Sequence, residues 1–381
     1  MNKKAIAILG AIFILIVGTL GFLIYSKYGS KKTSTSTSNN TSPPVETVDT
    51  GNNNGTDQGS NNASTTPPET LSQRFVKLTD EQVVSPVLFY NGSAITYLNK
   101  QGGVFQADLQ ESNGVLQLEN KRQLENIPPK QNISKILWPS RGNDFIAEFK
   151  SFGKKTWSYY NNNTVSFTDY PPQIISVDWM PSGDKIIYVW LENGKATLNL
   201  ADPDTKNWVE VSEMWEQDDS IHMSPDGLSV LYFRTENTEA SNAINLTTPD
   251  GKLWRGLVKE GYNFGVLWSP DSQKFLFNKK DRVTQKYQLW VYDVLAGDVK
   301  NLGMFTTVEK AVWDKDGKTI YAAVPKTSST AAEDGGLTED GFYKIDVENL
   351  EKKEYAADGE KIDGQNLFLS LSGDKLFFRN A

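Results

Sequence analysis

The stretch IHMSPDGLSVLYF at residues 221–233 decides the fold of this chain, and VLWSPDSQKFLF at residues 266–277 repeats it. In both stretches an apolar strand runs into a tight turn that contains Ser-Pro-Asp, and a second apolar strand follows. Pro and Asp supply the backbone angles and local hydrogen bonds that such turns require. An isolated two-stranded hairpin cannot shield its apolar faces from water, so each copy has to pack against a neighbour. The pattern therefore predicts an all-β fold of stacked hairpins.

The hairpin recurs along most of the chain with a regular spacing. Seven copies begin at Leu88, Trp138, Trp179, His222, Trp268, Trp313 and Leu369. Successive copies start between 41 and 56 residues apart, and third and fourth strands follow, such as LWVYDVL at residues 289–295 and DVKNLGM at residues 298–304. Four strands in a period of about 40 to 50 residues are typical of a propeller blade. We therefore predict a seven-bladed β-propeller, with six or eight blades as alternatives if a degenerate copy is counted wrongly.

The two ends of the repeat region complement each other. The last copy ends at its second strand, whereas RFVKLTD at residues 74–80 resembles a lone outer strand that precedes the first copy. Pairing of this segment with the last blade would close the ring and remove free sheet edges. The propeller domain is therefore expected to span residues 71–381.

The repeats resemble the TolB-type, WD-like propeller repeat, in which an aromatic residue or Leu is followed by SPDG and an apolar strand. The resemblance covers residues 83–380 and is carried best by the two stretches quoted first. Proteins with such repeats include periplasmic envelope components that bind other proteins, extracellular sensor domains and the propeller lids of prolyl-oligopeptidase-like peptidases. The chain departs from the peptidases because its sequence contains no GxSxG motif. The resemblance thus implies the fold, and a binding role in the envelope is an expectation.

Composition excludes several classes of function. The net charge is −8 and the sequence pI is about 5.0, and Lys and Arg are scattered through the globular part, so nucleic acid is not an expected partner. Cysteine is absent, which excludes disulfides, thiolate metal sites and cysteine nucleophiles. His222 is the only histidine, so a two-histidine zinc site cannot form within the chain. We predict no cofactor, no metal and no catalytic residue.

An uncharged and mostly apolar segment lies close to the N-terminus. Residues 5–25 read AIAILGAIFILIVGTLGFLIY, which as a helix is long enough to span a hydrocarbon core of about 30 Å. A cleaved signal peptide is the alternative, but its apolar region is usually about 7 to 15 residues long, and a clear small-x-small site is missing here. We predict a retained single-pass transmembrane helix, with residues 1–4 in the cytoplasm.

Residues 26–70 are predicted to form a disordered linker. From residue 33 onward they are nearly all Ser, Thr, Asn, Gly and Pro, and they bury too little apolar surface to offset the entropy of ordering. Lysines flank the apolar segment in nearly equal numbers, so charge alone leaves its orientation open. A Ser/Thr-rich stalk and a large domain suit export, and we therefore predict a cell-membrane protein with its propeller on the extracytoplasmic side.

Residues that recur in register have a structural interpretation. Asp184, Asp226, Asp271 and Asp316 could form a ring of catalytic or metal-binding carboxylates, but each lies in or beside a tight turn, where Asp bonds to local backbone. The tryptophans that begin several copies could form a sugar-stacking platform, but their repetition favours packing between blades. His222, at the same position of its own copy, is interpreted as a hydrogen-bonded structural residue.

One insertion breaks the period, KTSSTAAEDGGLTEDG at residues 326–341. Propeller loops between second and third strands share a face with the blade-connecting loops, where ligands often bind. Partner contacts are therefore expected on this face, although a loop without a partner is an open alternative. The candidate contact residues are Trp215, Glu216, Lys326, Glu333, Asp334, Glu339 and Asp340.

Two functions are compatible with the sequence. The first is a non-enzymatic binding or scaffold module that recognises an envelope protein or polysaccharide. The second is a propeller-type glycan hydrolase or lyase with carboxylates gathered around the central channel. Carboxyl groups about 5 to 10 Å apart at the channel mouth would favour the enzyme. The sequence-based prediction is the binding module.

Overall fold

The computed structural model describes residues 75–89, 92–113, 115–124, 130, 132–151, 154–214, 220–235, 242–281, 283–326, 337–355 and 361–381. All of these residues belong to one compact unit, Pro68–Ala381. The predicted membrane anchor at residues 5–25 and the predicted linker at residues 26–70 lie outside them. Within the described ranges, no helix is long and apolar enough to cross a membrane.

Antiparallel β-strands build almost all of the described chain. In chain order the strands are β1 Val83–Phe89, β2 Ala94–Asn99, β3 Val104–Ser112, β4 Val115–Gln123, β5 Ile133–Leu137, β6 Phe145–Ser151, β7 Lys154–Asn161, β8 Ser166–Asp169, β9 Ile174–Trp179, β10 Ile186–Glu192, β11 Lys195–Ala201, β12 Val209–Met214, β13 Ser220–Met223, β14 Val230–Phe233, β15 Asn242–Thr247, β16 Trp254–Gly261, β17 Gly265–Trp268, β18 Lys274–Lys280, β19 Tyr287–Asp293, β20 Val299–Met304, β21 Ala311–Trp313, β22 Thr319–Pro325, β23 Asp340–Asp346, β24 Lys352–Tyr355, β25 Gly364–Leu369 and β26 Leu376–Asn380. A 3₁₀ turn, Val308–Lys310, precedes β21.

Consecutive strands pair into sheets, so that β1–β4, β5–β8 and each following group of four form a blade. We number these four-stranded sheets blades 1 to 6 in chain order. The remaining strands, β25 and β26, pair only with each other in the described chain. Second strands such as β14, VLYF, are buried on both faces, whereas fourth strands such as β4 are largely exposed. This gradient is typical of blades that stack face to face around an axis.

The hydrophobic core is divided among the interfaces between neighbouring sheets. Between blades 4 and 5, for example, Phe233 and Leu246 pack with Trp268 and Phe275. Similar clusters join the other neighbouring blades, and two more join the two-stranded sheet to blade 6 and to blade 1. The ring is therefore closed through the two-stranded sheet, and the β-propeller is confirmed.

The described residues form six four-stranded blades, so the predicted count of seven is wrong and the alternative of six is correct. The seventh repeat, LSLSGDKLFFRN at residues 369–380, forms β26 and the end of β25, and the described residues add no third or fourth strand to this sheet. A complete blade and this two-stranded sheet contain the same hairpin, so counting hairpins gave one blade too many.

The predicted closing strand at residues 74–80 does not form in the described chain, where the first strand begins at Val83. The segment instead packs through its side chains. The ring of Phe75 lies 5.5 Å from that of Phe342 and 5.8 Å from that of Phe378. Leu78 belongs to the cluster between the two-stranded sheet and blade 1. The segment thus covers the last sheet without entering its hydrogen-bond ladder.

The tryptophans that begin the repeats link neighbouring blades, as predicted. Each indole Nε1 donates to a backbone oxygen in the innermost strand of the preceding blade, at 3.0 to 3.2 Å. The pairs are Trp138 with Ser85, Trp179 with Leu137, Trp268 with His222 and Trp313 with Leu267.

The register of blade 4 differs from the sequence prediction by one residue. Met223 pairs with Val230 across the hairpin, just as Trp268 pairs with Phe275 in blade 5. Met223, and not His222, therefore takes the position of the repeated tryptophan, and Gly227 then falls at the same distance as the other turn glycines. The sequence repeat was assigned one residue too early because blade 4 has Met, and not Trp, at this position.

Candidate functional site

A groove of about 640 Å³ runs along the face of blade 3 that looks towards blade 2. This volume lies in the range of ligand sites in proteins. Its lining combines aromatic, hydroxyl, amide and charged side chains. The lining residues are Pro171, Ile174, Tyr188, Trp190, Glu192, Asn193, Lys195, Thr197, Asn199, Thr205, Trp208 and Glu210. We call this site the blade-3 groove.

The aromatic part of the groove follows from strand alternation. Side chains two residues apart lie on the same face of a strand, so Tyr188 and Trp190 of β10 both face the groove. Both pack on the core cluster shared with blade 2. Trp208, just before β12, is 62% exposed. An exposed tryptophan beside two anchored aromatic rings is typical of a ligand-contacting surface.

The turn that carries Trp208 is braced from two sides. Asn207 Nδ2 donates to Asp202 Oδ2 at 2.6 Å, and Lys185 Nζ lies 2.7 Å from Asp202 Oδ1. Tyr170 Oη of blade 2 donates to the backbone oxygen of Pro203 at 2.5 Å. The turn that carries Trp208 is therefore held both within blade 3 and by Tyr170 of blade 2.

Polar side chains at the floor of the groove are buried and fixed. Asn199 is only 2% exposed, and its Nδ2 donates to the backbone oxygen and to Oγ1 of Thr197, both at 3.0 Å. Because these two residues stand two apart on β11, they face the groove together. Such preset hydrogen-bonding groups fix the orientation of a bound ligand.

The charged residues leave the groove acidic. Lys195 is the one lysine in the lining, and its Nζ already lies 2.6 Å from Glu213 Oε1, outside the lining. Glu192 and Glu210 are both exposed and belong to the lining. The carboxylates of Glu192 and Glu210 therefore dominate the charge of the groove.

Sequence reasoning missed this groove. Trp190 and Trp208 stand outside the repeated tryptophan position, and this departure from the repeat was an available signal. The sequence could not show that their two strands share an open face.

The predicted contact residues fall into two groups. Trp215, Glu216, Glu333 and Asp334 lie outside the described residues, so their role stays a prediction. Lys326 and Glu339 lie together, with Lys326 Nζ 3.5 Å from Glu339 Oε1, and both side chains are partly exposed. Asp340 differs, because it is only 1% exposed and cannot reach a partner at the surface without rearrangement.

Asp340 belongs to a buried ionic cluster. Lys310 Nζ lies 2.7 Å from Asp340 Oδ2 and 2.6 Å from Asp363 Oδ1, and it donates to Thr338 Oγ1 at 2.8 Å. Burial raises the pKa of Asp363, but the hydrogen bond and charge of Lys310 outweigh it, so that the pKa lies below its usual value. The cluster joins blade 6 to the two-stranded sheet, which is a structural role.

The repeated aspartates are engaged in their turns, as predicted. Asp226 Oδ1 accepts from Ser224 Oγ at 2.6 Å, and Asp271 Oδ1 accepts from Ser269 Oγ at 2.6 Å. Asp316 Oδ1 accepts the N–H groups of Lys318 and Thr319, each at 2.8 Å. Within the described ranges, no group of three or more His, Asp and Glu side chains could hold a metal ion.

Comparison with known proteins shows solved structures of similar fold but no matching family. No family model matches the chain, and no curated protein matches its sequence significantly. The chain is similar in fold to solved structures. An oligogalacturonate lyase in complex with manganese matches with a TM-score of 0.52 and 10% identity, over 78% of this chain and 87% of that chain. A likeness at this identity shows the fold alone.

Two further structures are similar over large parts of the chain. The tricorn protease has a TM-score of 0.47 and 11% identity over 80% of this chain and 34% of its own, so the present chain spans about a third of that protein's length. A TolB from Agrobacterium tumefaciens, described as putative in its name, has a TM-score of 0.42 and 15% identity over 60% of this chain and 83% of its own. The propeller that the TolB-type repeats implied is thus confirmed by the sheets themselves, and TolB proteins are among the structural neighbours.

Proposed function

We propose that this chain is a non-enzymatic binding module of the cell envelope, which holds an envelope polysaccharide or protein against its propeller. The apolar segment at residues 5–25 would anchor it in the membrane, and the polar linker would hold the propeller on the extracytoplasmic side. Binding, and not turnover, is the proposed activity.

The blade-3 groove is the observation that carries this proposal. It combines an exposed tryptophan, two anchored aromatic rings and a buried Thr–Asn pair along one open face. Rigid aromatic side chains give contact area at little entropic cost, and fixed polar groups give selectivity. A polymer or an extended segment can lie along such an open groove without entering the body of the protein.

The buried carboxylates give no support to the hydrolase or lyase alternative. Such an enzyme needs two carboxyl groups about 5 to 10 Å apart and open to substrate. Asp340 and Asp363 do lie together, but both are buried and contact the ammonium group of Lys310. Asp178 is likewise engaged, since its Oδ2 accepts the N–H of Met223 in the next blade at 2.8 Å.

Cosedimentation tests the proposal. Purified full-length chain would be mixed with insoluble envelope material of the cells that produce it, either untreated or digested with protease. We expect the chain to sediment with this material, and Trp208→Ala to reduce the bound fraction. Phe305→Ala is the matched control, because Phe305 is also an exposed aromatic residue but belongs to the loop between blades 5 and 6. Absence of sedimentation with any envelope fraction would reject the binding module.

The membrane topology has its own test. A reporter that is active only after export, fused to the C-terminus, should be active in cells. An inactive export reporter together with an active cytoplasmic one would place the propeller inside the cell instead.

A further inference from the structure

We infer that the blade-3 groove binds a glycan chain that carries no negative charge, either neutral or amine-bearing. This inference rests on the proposed binding function and names its ligand class. A sugar ring has an apolar C–H face and a rim of hydroxyl groups. The groove offers the complement of both, with Trp190 and Trp208 for the face and Asn193 and Thr205 for the rim.

The shape of the groove fits a chain better than a single sugar. Lys195 and Asn199 are four residues apart on β11, which corresponds to about 13 Å along an extended strand. Thr205 and Trp208 extend the lining beyond β11 at one end, and Asn193 extends it at the other. A ligand that touches all of these residues is longer than one hexose ring.

The charge of the groove selects among glycans. With Lys195 paired to Glu213, the exposed carboxylates of Glu192 and Glu210 repel a polyuronate. They attract a protonated amino sugar, whose ammonium group can also lie against an indole ring. The ligand is therefore expected to differ from the oligogalacturonate named for the structural neighbour.

The polar floor indicates a built site. Asn199 is held by two hydrogen bonds to Thr197, and both side chains are almost fully buried. Buried amide and hydroxyl groups are stable only with hydrogen-bond partners, and these two side chains bond to each other, so the floor beneath the groove is rigid. The lining is thus more than an exposed apolar patch.

Calorimetric titration of the full-length chain with three tetrasaccharides tests the inference. The probes are a glucosamine tetramer, an N-acetylglucosamine tetramer and a tetragalacturonate. We expect the first two to bind and the third to bind at least about tenfold more weakly. Trp208→Ala should weaken both bound probes about tenfold, and Trp208→Phe should restore most of the affinity. Phe305→Ala should leave binding unchanged.

A second substitution separates charge from stacking. Glu210→Gln should weaken binding of the glucosamine tetramer about threefold and leave the N-acetylated tetramer unaffected. High salt should weaken only the amine-bearing probe. Equal losses for both probes, or preferred binding of the tetragalacturonate, would overturn the charge argument.

The outcomes also separate this inference from the proposed function. If the chain sediments with envelope material but binds neither uncharged nor amine-bearing tetramer, the glycan inference is wrong and the binding module stands. Loss of sedimentation after protease treatment would then identify a protein as the partner. If neither envelope material nor any tetramer binds, both proposals fail.

Discussion

The indole Nε1 of Trp179 donates to the backbone oxygen of Leu137 at 3.0 Å, across the boundary between blades 3 and 2. Leu137 ends the innermost strand of blade 2, β5, which pairs on one side with β6 and, among the described residues, with no strand on its other side. A buried carbonyl without a partner costs free energy. The repeated tryptophan therefore fills the interface between two blades and also donates a hydrogen bond to a backbone oxygen at the edge of the preceding blade.

Substitution of Trp268 by Phe tests this second role. The change keeps an aromatic ring but removes the donor to the backbone oxygen of His222. We expect the free energy of unfolding to fall by about 1 to 2 kcal/mol, measured as a lower urea midpoint. Trp290→Phe in the same blade is the control, because its Nε1 is buried without a hydrogen-bond partner among the described residues. Equal losses in the two variants would show that the hydrogen bond contributes nothing.

The propeller was predictable because its signal is repeated. Seven hairpins each carry the same turn chemistry, and errors in one copy, such as the one-residue shift at Met223, leave the architecture unchanged. The blade count was less predictable, since a two-stranded remnant and a complete blade share the same hairpin sequence. A complete blade has third and fourth strands, whereas among the described residues β26 pairs only with β25.

The candidate site was much less predictable. The buried position of Asp340 depends on Lys310, which is thirty residues away and carries no motif. The blade-3 groove depends on side chains of β10, β11 and the turn before β12 that share one face beside Pro171, which the repeated pattern does not reveal. Sequence patterns thus predicted what every blade shares, whereas the site depends on how one blade differs from the others.

Phe75→Ala tests whether the segment before β1 stabilises the ring. The ring of Phe75 packs against Phe342 and Phe378, so its removal leaves a gap between blade 6 and the two-stranded sheet. We expect a loss of about 2 kcal/mol in unfolding free energy, read from thermal and urea unfolding. Val76→Ala, at a neighbouring position that is 46% exposed, should change stability little. A Phe75→Ala variant as stable as the parent would show that the packing of Phe75 does not stabilise the propeller.

Lys310→Met should be one of the most destabilising single substitutions in the ring. It leaves the buried carboxylates of Asp340 and Asp363 without their shared cation, at a cost of about 3 to 5 kcal/mol. Lys318→Met is the control, because the pair of Lys318 and Glu348 is exposed and contributes less than about 1 kcal/mol.

The pH dependence of the Lys310→Met variant gives a second readout. In the parent, the lowered pKa of Asp363 stabilises the folded state above the ordinary pKa of Asp, and this contribution is lost as the pH falls through the folded-state value. Without the cation, burial favours protonation of Asp363, so the stability gap between variant and parent should narrow towards pH 4. A gap that is constant with pH would show that lost packing, and not charge, causes the effect.

The pKa of His222 can be measured directly, because His222 is the only histidine in the chain. Burial, together with the charges of Lys135 and Lys155, lowers its pKa from 6.5 to about 3. The imidazole stacks on Phe233 and lies 3.2 Å from Ser220 Oγ, an arrangement that suits the neutral ring. Since the unfolded chain binds a proton near pH 6.5 and the folded chain does not, the contribution of His222 is fully present above pH 6.5 and is lost as the pH falls towards 3.

The imidazole resonances of ¹⁵N-labelled protein should therefore show a neutral ring down to about pH 4. Asp178 acts in the opposite sense, because burial raises its pKa from 3.8 to about 6, so that stability falls as the pH rises from about 4 to about 6. His222→Gln should remove the loss of stability below pH 6.5 and leave the contribution of Asp178, so stability in this variant should rise on acidification from pH 7 to pH 5. A parent histidine that titrates near pH 6.5 would contradict its assignment as a buried, neutral and structural residue.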